Sequence, residues 1–373
     1  MKLQVTDTLA GVDAGEWNSL AGGDPFLQHA FLHGLHETGC ACADTGWAPQ
    51  YLLLRDNAGR LAGAMPLYLK SHSYGEYVFD WAWADAYQRH GLEYYPKLLC
   101  AVPFTPVAGA RLLAAGAEQR RLLAAGALEL ARDYRLSSLH VLYPREEDLV
   151  LLQDLGLLTR QGRQFHWHNA GYTDFEHFLA ALSHDKRKKI RQERRKVREA
   201  GVRFDWVEGT AISGDDWQFF TRCYLQTYRE HHATPYLNLG FFRHIGAAMA
   251  QHLVLVRARI GDRAVAASLL VRGADRLYGR HWGAVEHLPL LHFETCYYQG
   301  IEYAIARGLR VFEGGAQGVH KMARGLMPVA TQSAHWLARP EFADAVARYL
   351  ERETAMMDDE ARRLAARSPF REV

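Results

Sequence analysis

Cysteine is scarce in this chain of 373 residues, and the few thiols that occur are scattered along it. An odd number of cysteines at these spacings suits neither a disulfide framework nor a zinc site. The N-terminal stretch MKLQVTDTLAGVDAGEW also lacks the apolar core of a secretory signal. These features argue against a disulfide-stabilised secreted domain and predict a reduced, cytoplasmic location. The five cysteines are Cys40, Cys42, Cys100, Cys223 and Cys296.

Long apolar runs and a surplus of charge of one sign are missing as well. No window approaches the ~18 apolar residues of a membrane-spanning helix, so stable membrane insertion is not expected. Lys and Arg number 44 against 42 Asp and Glu, which leaves a net charge of only +2. The chain is therefore not a general polycation, and any attraction for nucleic acid must come from a local feature. Because 49% of the residues are hydrophobic, a chain of this length can bury more than one core.

One such local feature is the stretch SHDKRKKIRQERRKVREAGV, residues 183–202. Ser183 as the N-cap and Gly201 as the stop predict one helix over 183–200. Arg187, Arg191 and Arg195 are spaced four apart and therefore share one helix face. Because neighbouring like charges repel, the pattern favours a helix that binds an anion, most readily a phosphate. A solvated surface helix is the alternative.

The order of predicted elements occurs twice along the chain, about 200 residues apart. The first copy has a hairpin, a third strand in EYVFDWAW, a helix and a buried strand, and the second copy repeats this order. The recurrence predicts an α/β fold with a mixed sheet, built as a tandem duplication with a linker near Leu158–Gly171. The predicted ranges are 1–165 for the first domain, 166–340 for the second, and 341–373 for a helical tail. In the first copy the predicted hairpin is 51–70, the helix 117–134 and the last strand 137–143. In the second copy the hairpin is 252–273, the third strand 276–283, the helix 293–308 and the last strand 309–315.

Two motifs resemble the FemA/FemB/FemX-type transferases: the basic helix ending in Gly-Val, and GLRVFEGGAQGVHKMARGLMP at 308–328. Residues 66–87, 94–113 and 313–325 are more similar still to the bacterial FemAB-like subfamily of N-acyltransferases. The resemblance covers about residues 20–340 and implies tandem GNAT-like acyltransferase domains. It further implies N-acyl transfer, in which an amine attacks an activated carbonyl without a covalent enzyme intermediate or a required cofactor. In that family, aminoacyl-tRNA donates amino acids to peptidoglycan precursors.

The same resemblance suggests the catalytic residues. Lys321 matches the lysine that Fem-type enzymes place near the transferred carbonyl, where a cation can stabilise the oxyanion. Glu313 stands at a strand end before two glycines and is predicted to accept the proton of the amine, with His320 as a further candidate base. The alternatives are a surface lysine and a carboxylate that caps a turn.

Further residues are predicted to contact the substrate. Strand alternation puts Tyr278, Arg280 and Trp282 on one face and His281 on the other, without deciding which face lines the cleft. No third ligand accompanies the adjacent histidines of YREHHATPY, so no metal site is predicted. The predicted substrate-binding residues are Arg187, Arg191, Arg195, Arg324, Tyr278, His281, Tyr228 and Gln317.

The donor remains open between two kinds. The second copy has VEHLPLLHFE where CoA-dependent acetyltransferases carry a glycine-rich pyrophosphate loop. Aminoacyl-tRNA or another large donor is therefore favoured over acyl-CoA, and tRNA or an anionic substrate is the expected partner of the basic helix. Three functions stay open: an N-acyl or aminoacyl transferase, a CoA-dependent N-acetyltransferase, and a non-catalytic protein that binds RNA or a cell-wall precursor.

Overall fold

The computed structural model describes residues 1–316 and 318–371. The chain folds into two compact units. The first unit comprises residues 1–162 and 330–360, and the second comprises 163–329 and the residues from 361 onward. These units differ from the predicted ranges because the chain returns to the first unit near its end. Part of the segment predicted as a separate tail thus belongs to the first unit.

The first unit begins with a small antiparallel sheet and continues into a larger mixed one. Helix α4 buries one apolar face against this unit's core, with Leu123, Ala127 and Ala131 inward. The strands are β1 (Lys2–Thr6), β2 (Trp47–Pro49), β3 (Tyr51–Arg55), β4 (Leu61–Met65), β5 (Leu67–Lys70), β6 (Lys97–Cys100), β7 (Ser138–Leu142) and β8 (Leu158–His168), which continues into the second unit; the helices are α1 (Ala14–Ala21), α2 (His29–Glu37), α3 (Trp81–Arg89), α4 (Ala117–Asp133) and α5 (Glu146–Asp154).

The predicted hairpin at 51–70 is confirmed, with a break at Pro66. Strands β3 and β4 pair in antiparallel fashion, while β5 leaves them to pair with β2 and β6. Proline lacks an N–H to donate, so the ladder is interrupted there. Strands β6 and β7 are parallel neighbours.

Two sequence predictions in this region were wrong. The segment EYVFDWAW forms a loop and the start of α3 rather than a third strand, and that strand is β6 instead. Glu76 and Asp80 both contact the buried ammonium of Lys97. In an extended strand these two residues would lie about 13 Å apart, too far for both to reach one ammonium. The predicted linker near 158–171 is largely strand β8.

The second unit is a sheet in the order β8-β13-β12-β11-β10-β9, covered by helices. All neighbours are antiparallel except β12 and β13, which are parallel. Helix α8 begins with a capping box between Ser213 and Asp216 and lies along β12. The elements are β9 (Val202–Glu208), β10 (Leu253–Ile260), β11 (Arg263–Arg272), β12 (Arg276–Ala284), β13 (Val311–Ala316), α6 (Phe175–Ala181), α7 (His184–Glu199), α8 (Gly214–Glu230), α9 (Leu239–Ala248) and α10 (residues 291–306, with a π-helical turn at Glu294–Tyr298).

The C-terminal part adds strand β14 (Met327–Leu337) and helix α11 (Pro340–Ala365). Strand β14 pairs with β7 from Ser333 to Leu337. The N-terminal half of α11 packs Val346 and Leu350 against Trp83 of α3. These contacts hold the strand and most of the helix in the first unit.

Candidate active site

The parallel strands β12 and β13 run side by side for only a short distance. Their pairing extends from Arg276 opposite Val311 to Tyr278 opposite Glu313. Beyond this point β12 stays with β11 and β13 stays with β8. The two strands therefore separate after Glu313, which opens a gap in the middle of this unit's sheet. The gap lies at the end of β13.

A row of polar side chains crosses the sheet where the strands begin to separate. Tyr278, Glu313 and His166 are direct neighbours on three adjacent strands, so they share one face. The buried Glu313 carboxylate accepts a 3.0 Å hydrogen bond from Arg276 and lies 3.8 Å from Nε2 of His166. Burial, reinforced by Arg276, lowers the pKa of His166 to about 3. In this row, the neutral imidazole of His166 lies beside the Glu313 carboxylate, which Arg276 binds.

A β-bulge in β12 changes which side chains face this row. Gly279 and His281 are opposite the consecutive residues Leu270 and Leu269, so Arg280 is an extra residue in the strand. Tyr278 and His281 therefore share a face and Trp282 lies on the other, contrary to the alternation predicted from sequence. Regular alternation fails here because one inserted residue reverses every later side chain.

His281 belongs to an aromatic cluster on the α8 side of the sheet. Its ring centroid is 5.3 Å from that of Tyr224, which in turn is 4.8 Å from Tyr228. Burial lowers the pKa of His281 to about 3, so it is neutral at physiological pH. Helix α8 can approach because Gly283 has no side chain: a Cβ there would lie 1.9 Å from the Cys223 carbonyl oxygen. The structure thus brings the predicted residues Tyr278, His281 and Tyr228 to one face.

Lys321 lies on a short 3-10 turn, Val319–Arg324, that follows β13. Gly318 and Gly325 flank this turn with φ of 114° and 87°, values that favour glycine. The side chain of Lys321 is 3% exposed, and Nζ donates a 2.9 Å hydrogen bond to the Gly315 carbonyl oxygen. Burial, reinforced by Arg280, lowers the pKa of Lys321 to about 8. A buried ammonium group with a lowered pKa therefore lies at the end of β13.

His320, by contrast, is exposed. Its Nε2 lies 3.4 Å from the Tyr297 hydroxyl, which the π-helical turn of α10 presents. Partial burial, together with Lys321 and Arg324, lowers the pKa of His320 and favours its neutral form. Such π-helical turns occur frequently at functional sites.

Arg324 is buried and engaged by protein groups. One terminal nitrogen, Nη2, lies 3.1 Å from both carboxylate oxygens of Glu193, and Nη1 donates to the His320 carbonyl oxygen at 3.1 Å. The guanidinium also lies 3.5 Å from the ring centroid of Phe293. Its predicted contact with substrate stays a prediction. Gln317, the remaining predicted residue of this loop, lies outside the described residues.

The predicted basic helix is confirmed as α7, and its outer face lines a groove of about 570 Å³. Arg187, Arg191 and Arg195 all line the groove, as their spacing predicts. Arg191 pairs with Glu176, and Arg195 lies 3.7 Å from Glu199. The other groove residues are Glu176, His184, Lys188, Gln192 and Arg198, so the lining is strongly basic with one carboxylate.

The sequence pattern of one family, described by its role in peptidoglycan biosynthesis or recognition, matches residues 8–372. The chain belongs to the FemAB-like family. Among curated proteins, none matches this sequence.

Solved structures agree on the fold of this FemAB-like chain. FemX aligns with a TM-score of 0.56 and 10% identity over 93% of this chain and all of its own. The C-terminal domain of a putative lysylphosphatidylglycerol synthetase from Agrobacterium fabrum gives 0.55 and 11% over 90% of this chain and 94% of its own. L-PGS from Bacillus licheniformis gives 0.54 and 11% over 91% and 97%. The predicted α/β fold of tandem GNAT-like units is confirmed.

The first unit of the FemAB-like chain contains a buried ionic cluster that sequence reasoning did not assemble. The Lys97 ammonium donates to Ser73 Oγ and Glu76 Oε2, both at 2.8 Å, and to Asp80. The Tyr94 hydroxyl donates to Asp80 at 2.7 Å. The available signal was a lysine and two acids set among aromatic residues, but nothing local showed that they meet.

Within residues 1–316 and 318–371, no group of three or more His, Cys, Asp or Glu side chains is arranged to hold a metal ion. No helix there combines the length and the apolar character needed to cross a membrane. All five cysteines are free thiols.

Proposed function

We propose that this FemAB-like protein transfers an aminoacyl or other acyl group from an activated ester, with aminoacyl-tRNA as donor, to an amine acceptor. The acceptor class is a peptidoglycan-related precursor or a small peptide or amino acid. The observation that carries the proposal is the buried Lys321 cation at the end of the separating strands. The family's link to peptidoglycan and a fold shared with FemX support it.

The chemistry requires a neutral amine, a stabilised oxyanion and a proton acceptor. The amine nitrogen attacks the ester carbonyl, the C–O bond breaks, and the proton of the amine passes through a base to the leaving oxygen. With a pKa of about 8, Lys321 is largely protonated at pH 7 and can donate a hydrogen bond to the developing oxyanion. His320 is exposed and favours its neutral form, so it can accept the proton. Glu313 is buried and already accepts a hydrogen bond from Arg276, so His320 is the first candidate base and Glu313 the second.

The basic groove on α7 supports a polyanionic donor. Arg187, Arg191 and Arg195 can grip phosphates with two hydrogen bonds each. A nucleic acid held there would bring a string of phosphates to one helix face. Acyl-CoA has a smaller phosphate group, and VEHLPLLHFE lacks the glycine-rich loop that usually holds its pyrophosphate.

The catalytic test replaces Lys321 by Met and by Arg. Formation of the acylated amine is measured with mixed tRNA charged with labelled amino acids and a panel of amines, with acetyl-CoA run in parallel. Loss of one oxyanion donor costs about 100–1,000-fold in rate, so Lys321→Met should be slow by that factor while Lys321→Arg recovers only part. The matched control is the exposed Lys189→Met. Full activity in Lys321→Met would refute the role of the lysine, and turnover with acetyl-CoA alone would favour the CoA-dependent alternative.

The groove test reverses charge at Arg187 and Arg195 together. Binding of mixed tRNA should weaken, and the slope of log affinity against log salt should become shallower by roughly one unit per lost phosphate contact. Arg203→Glu removes the same kind of charge from an exposed position on β9 outside the groove and serves as control. Equal losses in the two variants would mean that the protein attracts RNA only through its overall charge.

A further inference from the structure

Helix α7 carries one acidic side chain on its buried side, and this side chain faces the turn that carries Lys321. Glu193 is 7% exposed, whereas most of the charged residues on this helix are partly or fully exposed. Its carboxylate receives Arg324 Nη2 on both oxygens and the Tyr298 hydroxyl on one. Removal of either Arg324 or Glu193 would leave the other charge buried without its counter-ion, so the two side chains stay paired while the surrounding core is intact.

The pairing of Glu193 with Arg324 is close to Lys321 along the chain. Arg324 also donates from Nη1 to the His320 carbonyl oxygen, the peptide group directly before Lys321. On the other side of the turn, the Lys321 ammonium holds the Gly315 carbonyl oxygen. The turn lies between two glycines with positive φ, which supply no side-chain packing of their own. Its position therefore depends on these polar contacts, on the packing of the Arg324 guanidinium against the Phe293 ring, and on the buried Met322.

We infer that Arg324 and Glu193 act as positioning residues that hold the Lys321 turn on helix α7. The inference rests on the proposed role of Lys321. Arg324 thus serves the site through Lys321 rather than by touching the substrate. The inner face of α7 orients the lysine while its outer face carries the basic groove.

The neighbouring residue of the same helix offers a matched comparison. Arg194 also faces inward, where its guanidinium pairs with Glu294 and Glu302 of α10. None of these contacts involves the turn Val319–Arg324. Loss of the Arg194 pairs should weaken the packing of α7 against α10 but should leave the pairing of Glu193 with Arg324 in place.

The experiment follows the reactivity of Lys321 rather than turnover. The full chain is acetylated with trace acetic anhydride from pH 6.5 to 11, and the peptide containing Lys321 is quantified by mass spectrometry. Only the neutral amine reacts, so the midpoint reports the pKa, which is about 8 in the native protein. In Glu193→Gln and Arg324→Lys the midpoint should move towards the ordinary lysine value of about 10.4, because the released side chain meets water. In Arg194→Met the midpoint should stay in place.

The outcomes separate the inference from the proposed function, because labelling needs no substrate. If Glu193→Gln and Arg324→Lys lower the melting temperature as Arg194→Met does but leave the midpoint unchanged, the pair is only structural and the inference fails. Where an acyl-transfer assay is available, both variants should lower kcat by about 100-fold with little change in the donor KM, as expected of misplacement. A rise in donor KM with unchanged kcat would instead make Arg324 a substrate ligand and overturn the inference.

Discussion

Replacing Lys321 by methionine should make the protein more stable while it removes the proposed activity. The lysine is 3% exposed, and its ammonium has the Gly315 carbonyl oxygen as a hydrogen-bond acceptor. Burial therefore disfavours the charged form in the folded state, as its pKa of about 8 records. Methionine has a similar length and carries no charge, so it fills the site without that penalty.

The size of the effect follows from the pKa difference between the two states. An unfolded lysine titrates near 10.4, so the shift to about 8 corresponds to roughly 3 kcal/mol of destabilisation when the lysine is charged. Loss of the hydrogen bond leaves the Gly315 carbonyl oxygen without this donor, which offsets about 1–2 kcal/mol of the gain. The free energy of unfolding of Lys321→Met should therefore rise by about 1–2 kcal/mol at pH 7.

The pH dependence has a definite sign. Below pH 8 the lysine is charged in both states and the full penalty is present. Between about 8 and 10.4 the unfolded state binds more protons, so the native protein gains stability as pH rises and the advantage of Lys321→Met shrinks. Urea unfolding at pH 7 and pH 10 measures the gap, with Lys189→Met as the exposed control. A variant that is less stable than the native protein, by the same amount at both pH values, would refute this reasoning.

Two further predictions concern the framework. Asp80→Asn removes a carboxylate from the buried ammonium of Lys97 and should lower the free energy of unfolding by about 3–5 kcal/mol. Asp85→Asn, in an exposed pair with Arg89, should lower it by less than about 1 kcal/mol. Urea unfolding measures both values, and equal losses would contradict the burial argument. Gly283→Ala places a Cβ against the Cys223 carbonyl oxygen and should lower the melting temperature markedly. Gly214→Ala, which has open space around it, should have little effect. An unchanged melting temperature in Gly283→Ala would mean that α8 moves away easily.

Much of the fold was predictable because its signals are local. The hairpin at 51–70 follows from two apolar runs around a turn, and α7 follows from the cap Ser183 and the stop Gly201. Lys321 was singled out only through the family resemblance. The pairing of Tyr278 with Glu313 was not predictable, since no spacing rule joins two strand residues 35 positions apart. The first-unit cluster around Lys97 escaped because polar residues among aromatic ones indicate a strand as readily as a buried ion pair.

The sequence by itself determined the tandem order of elements, the one-sided charge of α7 and the near-neutral balance of the whole chain, because periodicity and charge are properties of neighbouring residues. The tertiary structure decided which faces meet. The bulge at Arg280 put His281 on the same face of β12 as Tyr278. The ion pair between Arg324 and Glu193 joined residues 131 positions apart. It also decided the acidity of Lys321, because the cost of a buried charge depends on how much water the fold removes from it, and that is fixed by residues distant in the chain.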